Sequence, residues 1–187
     1  MAGDAQNFVK NAPHQSVDFG LSGDRLIALE LRPRRLGFAV FEGATTLLDW
    51  GVRAVSGELD SFRSVATRTI DRLIDLYAPR GVVARARNVS RRTPRKEMVV
   101  IVRDMKSVAA RRSIEMHLVE LSAIQRFYSE RGLTTKHQIA MAVADWFEEL
   151  SWKLPPKRRL WQSEPYNSLI FDAVGTAVAF MASDASE

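Results

Sequence analysis

The sequence predicts an α/β fold: a five-stranded mixed sheet, three antiparallel strands then two parallel ones, with helices on both faces. Three observations carry that expectation. Residues 26–29 (Leu-Ile-Ala-Leu) form an unbroken aliphatic run that continues through Glu30 and Leu31 into Arg32-Pro33-Arg34-Arg35. A run this apolar, closed by proline, reads as a strand buried on both faces. Two more strand-like stretches, residues 37–43 and 47–55, follow at the short spacing of an antiparallel meander. From Leu59 the apolar period changes to three and four, and the later strand-like segments are each preceded by a helical one, as parallel crossovers require.

Each element has its own local reason. Residues 37–43 alternate and stop at Gly43, while Gly51 marks a bulge or a close approach within the third strand. Phe62, Val65, Ala66, Ile70, Leu73, Ile74 and Tyr77 lie on one face of a helix that Pro79 ends. Residues 82–84 (Val-Val-Ala) read as a short buried strand. Residues 98–108 read as a helix against the preference of the β-branched run 99–102, and residues 114–119 alternate as a fifth strand. Ser122 is placed to cap a helix that Gly132 stops. Thr134 or Thr135 caps the next, with Ile139, Ala140, Val143, Ala144 and Phe147 on its apolar face. Residues 154–159 are loop. A last helix over residues 167–181 buries Ile170, Phe171, Val174, Val178 and Met181, with Asp172 beside that stripe. The expected organisation is a flexible N-terminal arm (residues 1–23) and a single domain (residues 24–183).

Composition narrows the chemistry. With no cysteine, disulfides, thiolate metal sites and cysteine nucleophiles are excluded, in keeping with a reducing compartment. No apolar run reaches membrane-spanning length and the start lacks an apolar signal core, so a cytoplasmic protein is expected. His14, His117 and His137 show no zinc-ligand spacing, and no phosphate-cradling glycine loop is present. The net charge is +5, but residues 85–112 hold ten basic residues against Glu97 and Asp104. That window therefore carries +8 and the rest of the chain −3, the footprint of a polyanion partner. A solvated, arginine-rich helix face is the alternative. Trp146, Trp152 and Trp161 flank the Pro155-Pro156 loop and are expected to pack it onto the core, with base stacking as the other use.

Glu30 is the residue that demands an explanation, because a carboxylate inside a buried strand needs a cation. The candidates are a metal ion or an arginine, with Arg32, Arg34, Arg35 and Arg85 in reach by sequence. Lys136 stands in the first turn of a helix, where a cation is disfavoured unless an anion is near.

Several stretches, in order, resemble the RuvC family of Holliday-junction resolvases, which has the ribonuclease H-like fold. Leu29-Glu30 is similar to the end of that family's first strand, where the acid is an aspartate. Gly37-Phe38-Ala39-Val40 looks like its second strand. Leu73-Ile74, Tyr77-Ala78-Pro79 and Gly81-Val82-Val83-Ala84 look like its first helix and fourth strand. Gly132 with Thr135-Lys136-His137-Gln138-Ile139-Ala140, then Leu154-Pro155-Pro156 and Asp172-Ala173, complete the series. The resemblance covers roughly residues 26–181. It implies a metal-dependent, structure-selective endonuclease acting on branched DNA, a homodimer with magnesium or manganese held by acidic side chains. By position, Glu30 and Asp172 become metal ligands, with Glu164 a third if its loop folds back, and Lys136 lies near the scissile phosphate. The basic residues Arg32, Arg34, Arg35, Arg85, Arg87, Arg91 and Arg92 become phosphate contacts. The chain departs from the pattern in having a glutamate at position 30, an arginine where the fourth strand should end in an acid, and Leu169 one turn before Asp172. A guanidinium at Arg85 replacing the metal's charge gives the rival expectation, a catalytically decayed DNA-binding or assembly module. A third is a protein-interaction domain whose basic window meets an acidic partner.

Overall fold

The computed structural model describes residues 25–56, 59–86, 96–157, 161 and 163–184, and its sheet is built outward from the first strand. β1 (Arg25–Arg32) pairs antiparallel with β2 (Arg35–Glu42), which pairs antiparallel with β3 (Thr46–Ala54). On its other side β1 runs parallel to β4 (Gly81–Arg85), and β4 parallel to β5 (Glu115–Val119), giving the order β3-β2-β1-β4-β5. Helices α1 (Leu59–Tyr77) and α2 (Lys96–Arg111) cover one face. The other face carries α4 (Lys136–Trp146) and α5 (Ser168–Asp184), with α3 (Leu121–Ser129) packed outside α5. The expected mixed sheet with helices on both faces is therefore present. No helix among the described residues is long and apolar enough to cross a membrane.

Strand parity decides which side chains meet. In β1 the side chains of Ile27, Leu29 and Leu31 enter the α1/α2 core, and Ala28 enters the α4/α5 core. Glu30 and Arg32 follow Ala28 at two-residue steps and so face α5. The same count in β4 places Val82 and Ala84 with α1 and α2, and leaves Val83 and Arg85 on the α5 face. Three charged side chains from two adjacent parallel strands, Glu30, Arg32 and Arg85, thus line one end of one face.

Gly37 brings the last helix down onto that end. It pairs with Glu30 in the β1–β2 register, and a Cβ at position 37 would lie 2.6 Å from both Leu169 Cβ and the Leu169 carbonyl oxygen. The absence of a side chain lets the first turn of α5 rest on the sheet. Gly37→Ala is expected to destabilise the fold by about 1–3 kcal/mol, because helix backbone and not a flexible tip must give way. Urea unfolding measures this directly, and an unchanged midpoint would show that α5 does not rest there.

Local departures from expectation have physical causes. β1 does not end before the arginines but runs through Arg32, and Pro33 with Arg34 forms the two-residue turn to Arg35. Arg34 there has φ 61°. The helix over residues 96–111 forms despite its β-branched run because Met98, Ile101, Met105, Val108 and Ala109 are all buried on one side. Burial of that stripe outweighs propensity penalties of a few tenths of a kcal/mol per residue. Ser122 is not a cap: α3 starts one residue earlier, with the Glu120 carbonyl accepting from the amides of Ala123 and Ile124. Thr135 is the cap of α4, in a reciprocal box with Gln138. The 3₁₀ helix Glu148–Lys153 was not expected. Its three-residue period aligns Phe147 with Leu150, both buried, and leaves Trp152 off that row and 73% exposed. Trp161 is also exposed, so of the three tryptophans Trp146 alone packs inward, stacked on Tyr128. Arg87, Arg91 and Arg92, and the loop residues 158–160, lie outside the described residues.

Candidate functional site

At the carboxyl ends of β1 and β4, three carboxylates and three cations meet. Glu30 is 1% exposed and accepts from the Arg85 guanidinium across the strand pair. Arg32 Nε lies 3.1 Å from Glu30 Oε1, an ion pair without the alignment of a hydrogen bond, since among the described residues that nitrogen has no hydrogen-bond partner. The other end of the same guanidinium, Nη2, donates to Asp172 Oδ2 at 2.8 Å and stands 3.7 Å from Glu164 Oε1. Lys136, the first residue of α4, closes the cluster with Nζ bonded to Glu164 and, at 3.0 Å, to Asp172.

Each element delivers its group for a reason already visible in the chain. β1 and β4 deliver Glu30, Arg32 and Arg85 by parity. Asp172 is the fifth residue of α5, beyond the first turn, so its carboxylate answers to Arg32 and Lys136 more than to the helix dipole, which acts over the first turn. Glu164 precedes Pro165 in the loop entering α5, and that loop does fold back: Ser168 donates to the Pro165 carbonyl at 2.7 Å. The cation in the first turn of α4 is accounted for by the two carboxylates it touches.

The electrostatics are those of a closed ion-pair network. Burial alone would raise the Asp172 carboxyl, but Lys136 and Arg32 outweigh it and hold the group below the ordinary aspartate value. Glu164 behaves alike, its burial overcome by the hydrogen bond and charge of Lys136 and by Arg32. Burial lowers Arg32, and the charges of Glu30, Asp172 and Glu164 raise it further than burial lowers it. Both carboxyls are depressed in the folded state, so the unfolded chain binds more protons in acid. Their stabilisation is complete at neutral pH and is lost as pH falls below about 4, through their folded values. Asp172→Asn is expected to flatten the acid limb of a stability–pH curve while leaving its shape above pH 6 unchanged. An acid limb identical in the variant would show that Asp172 carries no such linkage.

The sequence-nominated residues divide into three sets. Glu30, Asp172, Glu164 and Lys136 are brought together. Arg32, nominated both for a phosphate and as a partner of Glu30, is the hub of the cluster with its side chain 19% exposed. Arg85, also expected at a phosphate, points inward onto Glu30 and is 13% exposed. Arg34 is exposed at the hairpin tip and Arg35 half-buried beside it. Leu169, where a second helix acid would stand, is fully buried against Gly37. A magnesium or manganese ion does not fit this arrangement, because the volume on which the carboxylates converge is filled by the Arg32 guanidinium. Among the described residues no group of three or more His, Cys, Asp or Glu side chains is disposed to hold a metal.

No protein-family model and no curated protein sequence matches the chain. Solved structures do. RuvC of Thermus thermophilus superposes with a TM-score of 0.62 at 13% identity, over 83% of this chain and 92% of that one. Ydc2, the yeast mitochondrial Holliday junction resolvase, gives 0.60 at 13% identity, over 96% of this chain and 84% of that one. The fowlpox virus Holliday junction resolvase gives 0.55 at 9% identity, over 85% and 99%. The chain therefore has the ribonuclease H-like fold of the Holliday junction resolvases.

Proposed function

We propose that this protein binds branched DNA through the resolvase fold without cutting it, its acidic site being held shut by its own arginines and lysine. The observation that supports this most is one guanidinium, that of Arg32, in contact with Glu30, Asp172 and Glu164 at once. Metal-assisted phosphodiester hydrolysis needs carboxylate oxygens free to hold hard cations and a water between them. Here one oxygen of each carboxylate already faces cations that are covalently part of the chain.

The partner is inferred from charge and from the neighbours. T. thermophilus RuvC and the fowlpox virus resolvase have each been solved with Holliday junction DNA. This chain carries a net charge of +5, and Arg34, at the tip of the β1–β2 hairpin, is exposed. Phosphate contacts of this kind give affinity and orientation without sequence preference. A homodimer would present two such faces to a four-way junction, and sedimentation of the full chain tests that assembly.

A second reading, an active nuclease, is favoured by a specific feature: the Lys136 side chain is 57% exposed. It can swing to an incoming phosphate and release Glu164 and Asp172. Arg32 would still have to leave its three partners.

The test is binding of labelled four-way junctions, flaps and plain duplex in the absence of divalent metal. Junction binding is expected without magnesium, tighter than duplex, and weakening steeply between 50 and 200 mM salt, by about tenfold or more for each few phosphates engaged. A salt-independent signal, or none for any nucleic acid, would reject the proposal in favour of a protein-interaction role.

A further inference from the structure

A cluster of arginines lies on the opposite face of the sheet from the Glu30 network. Between β3 and α1 a cleft of about 260 Å³ has three arginines in its lining, Arg53 from β3 and Arg68 and Arg72 from α1. Arg68 and Arg72 are four residues apart and so project from one side of the helix, where like charges repel. Arg53 is held over the Phe38 ring, 5.4 Å from its centroid.

The two carboxylates on α1 nearest them are committed elsewhere. Asp71 and Asp75, on the same helix, both bond Arg112, just past the end of α2. Asp49, the carboxylate that lines the cleft, accepts from the Tyr77 hydroxyl at 2.9 Å. Arg68 Nε donates to the Ser64 carbonyl at 3.3 Å, a contact that leaves its charge unbalanced. Among the described residues none of the three arginines forms an ion pair with a carboxylate. Three fork-shaped donors around one opening, with a single carboxylate beside them, match the geometry and charge of a phosphate.

We propose that this cleft is a phosphate-binding site, separate from the Glu30 cluster. A DNA phosphodiester passing the β3 edge and a free phosphorylated ligand share that chemistry, and the first source rests on the branched-DNA reading above.

The test uses the Arg68→Ala/Arg72→Ala double variant. Both side chains are exposed on a helix where alanine is well tolerated, so the fold is retained. Two readouts are compared with the wild type: anisotropy of a labelled four-way junction across a salt series, and melting temperature with added pyrophosphate. A roughly tenfold loss of junction affinity, with the salt slope reduced by about one, supports the site with DNA as its source. An unchanged junction affinity, together with loss of a pyrophosphate-induced rise in melting temperature seen in the wild type, supports it with a free phosphorylated ligand. Identical behaviour of variant and wild type in both readouts overturns it. If the wild type binds no junction, the branched-DNA reading fails by itself, and the pyrophosphate arm still decides this site.

Discussion

Glu30→Gln is expected to cost the fold about 3–5 kcal/mol. The residue is buried, accepts from Arg85 and lies 3.1 Å from Arg32 Nε, so the neutral amide keeps the shape but removes the charge both guanidinium groups were placed to meet. Removing one partner of a buried pair leaves the other uncompensated in a weakly screened interior, and that residue of charge is where the cost arises. Urea denaturation should show a lower midpoint with an unchanged slope, the mark of lost stability without altered compactness. A site of mutually repelling carboxylates awaiting a metal makes the opposite prediction. There the same substitution relieves repulsion and leaves stability equal or higher.

Arg32→Met is the second large effect, also about 3–5 kcal/mol, and it has a signature the first lacks. Methionine retains length and apolar bulk while withdrawing the one cation that touches Glu30, Asp172 and Glu164 together. The three oxygens that converged on that guanidinium then keep only Arg85 and Lys136 from the cluster, and a hard divalent ion can compete for them. Magnesium should therefore raise the melting temperature of this variant, by about 1.4 kcal/mol of stabilisation for each tenfold excess over its dissociation constant, and leave the wild type unmoved. Because Glu30 and Arg32 belong to one network, the double substitution should cost less than the two single ones added. Additive costs would mean that the two residues do not act on each other.

The fold was legible because its signals are local: an aliphatic run for β1, a change of period at Leu59, turn and cap residues at Gly43, Gly132 and Thr135. Glu30 announced itself by its cost, and Arg85 could be suspected as its partner from strand position alone. Arg32 was harder to place. Pro33 made the arginines look like one loop cluster, whereas the strand runs through Arg32, and its parity turns that side chain towards α5 and away from the hairpin tip. Trp152 was misjudged because a 3₁₀ period of three was not anticipated between α4 and the Pro-Pro loop. The arginine cleft joins a strand to a helix face whose acids turn away to Arg112. Nothing in the linear order of Arg53, Arg68 and Arg72 reveals that they share one opening.

A closed acidic site is tested most directly by combining the wild-type protein, a four-way junction and a divalent metal. Incubated with magnesium or manganese and resolved on a denaturing gel, the junction strands should emerge at full length, uncut. Metal-dependent nicking near the branch point that disappears in the Glu30→Gln protein would contradict it.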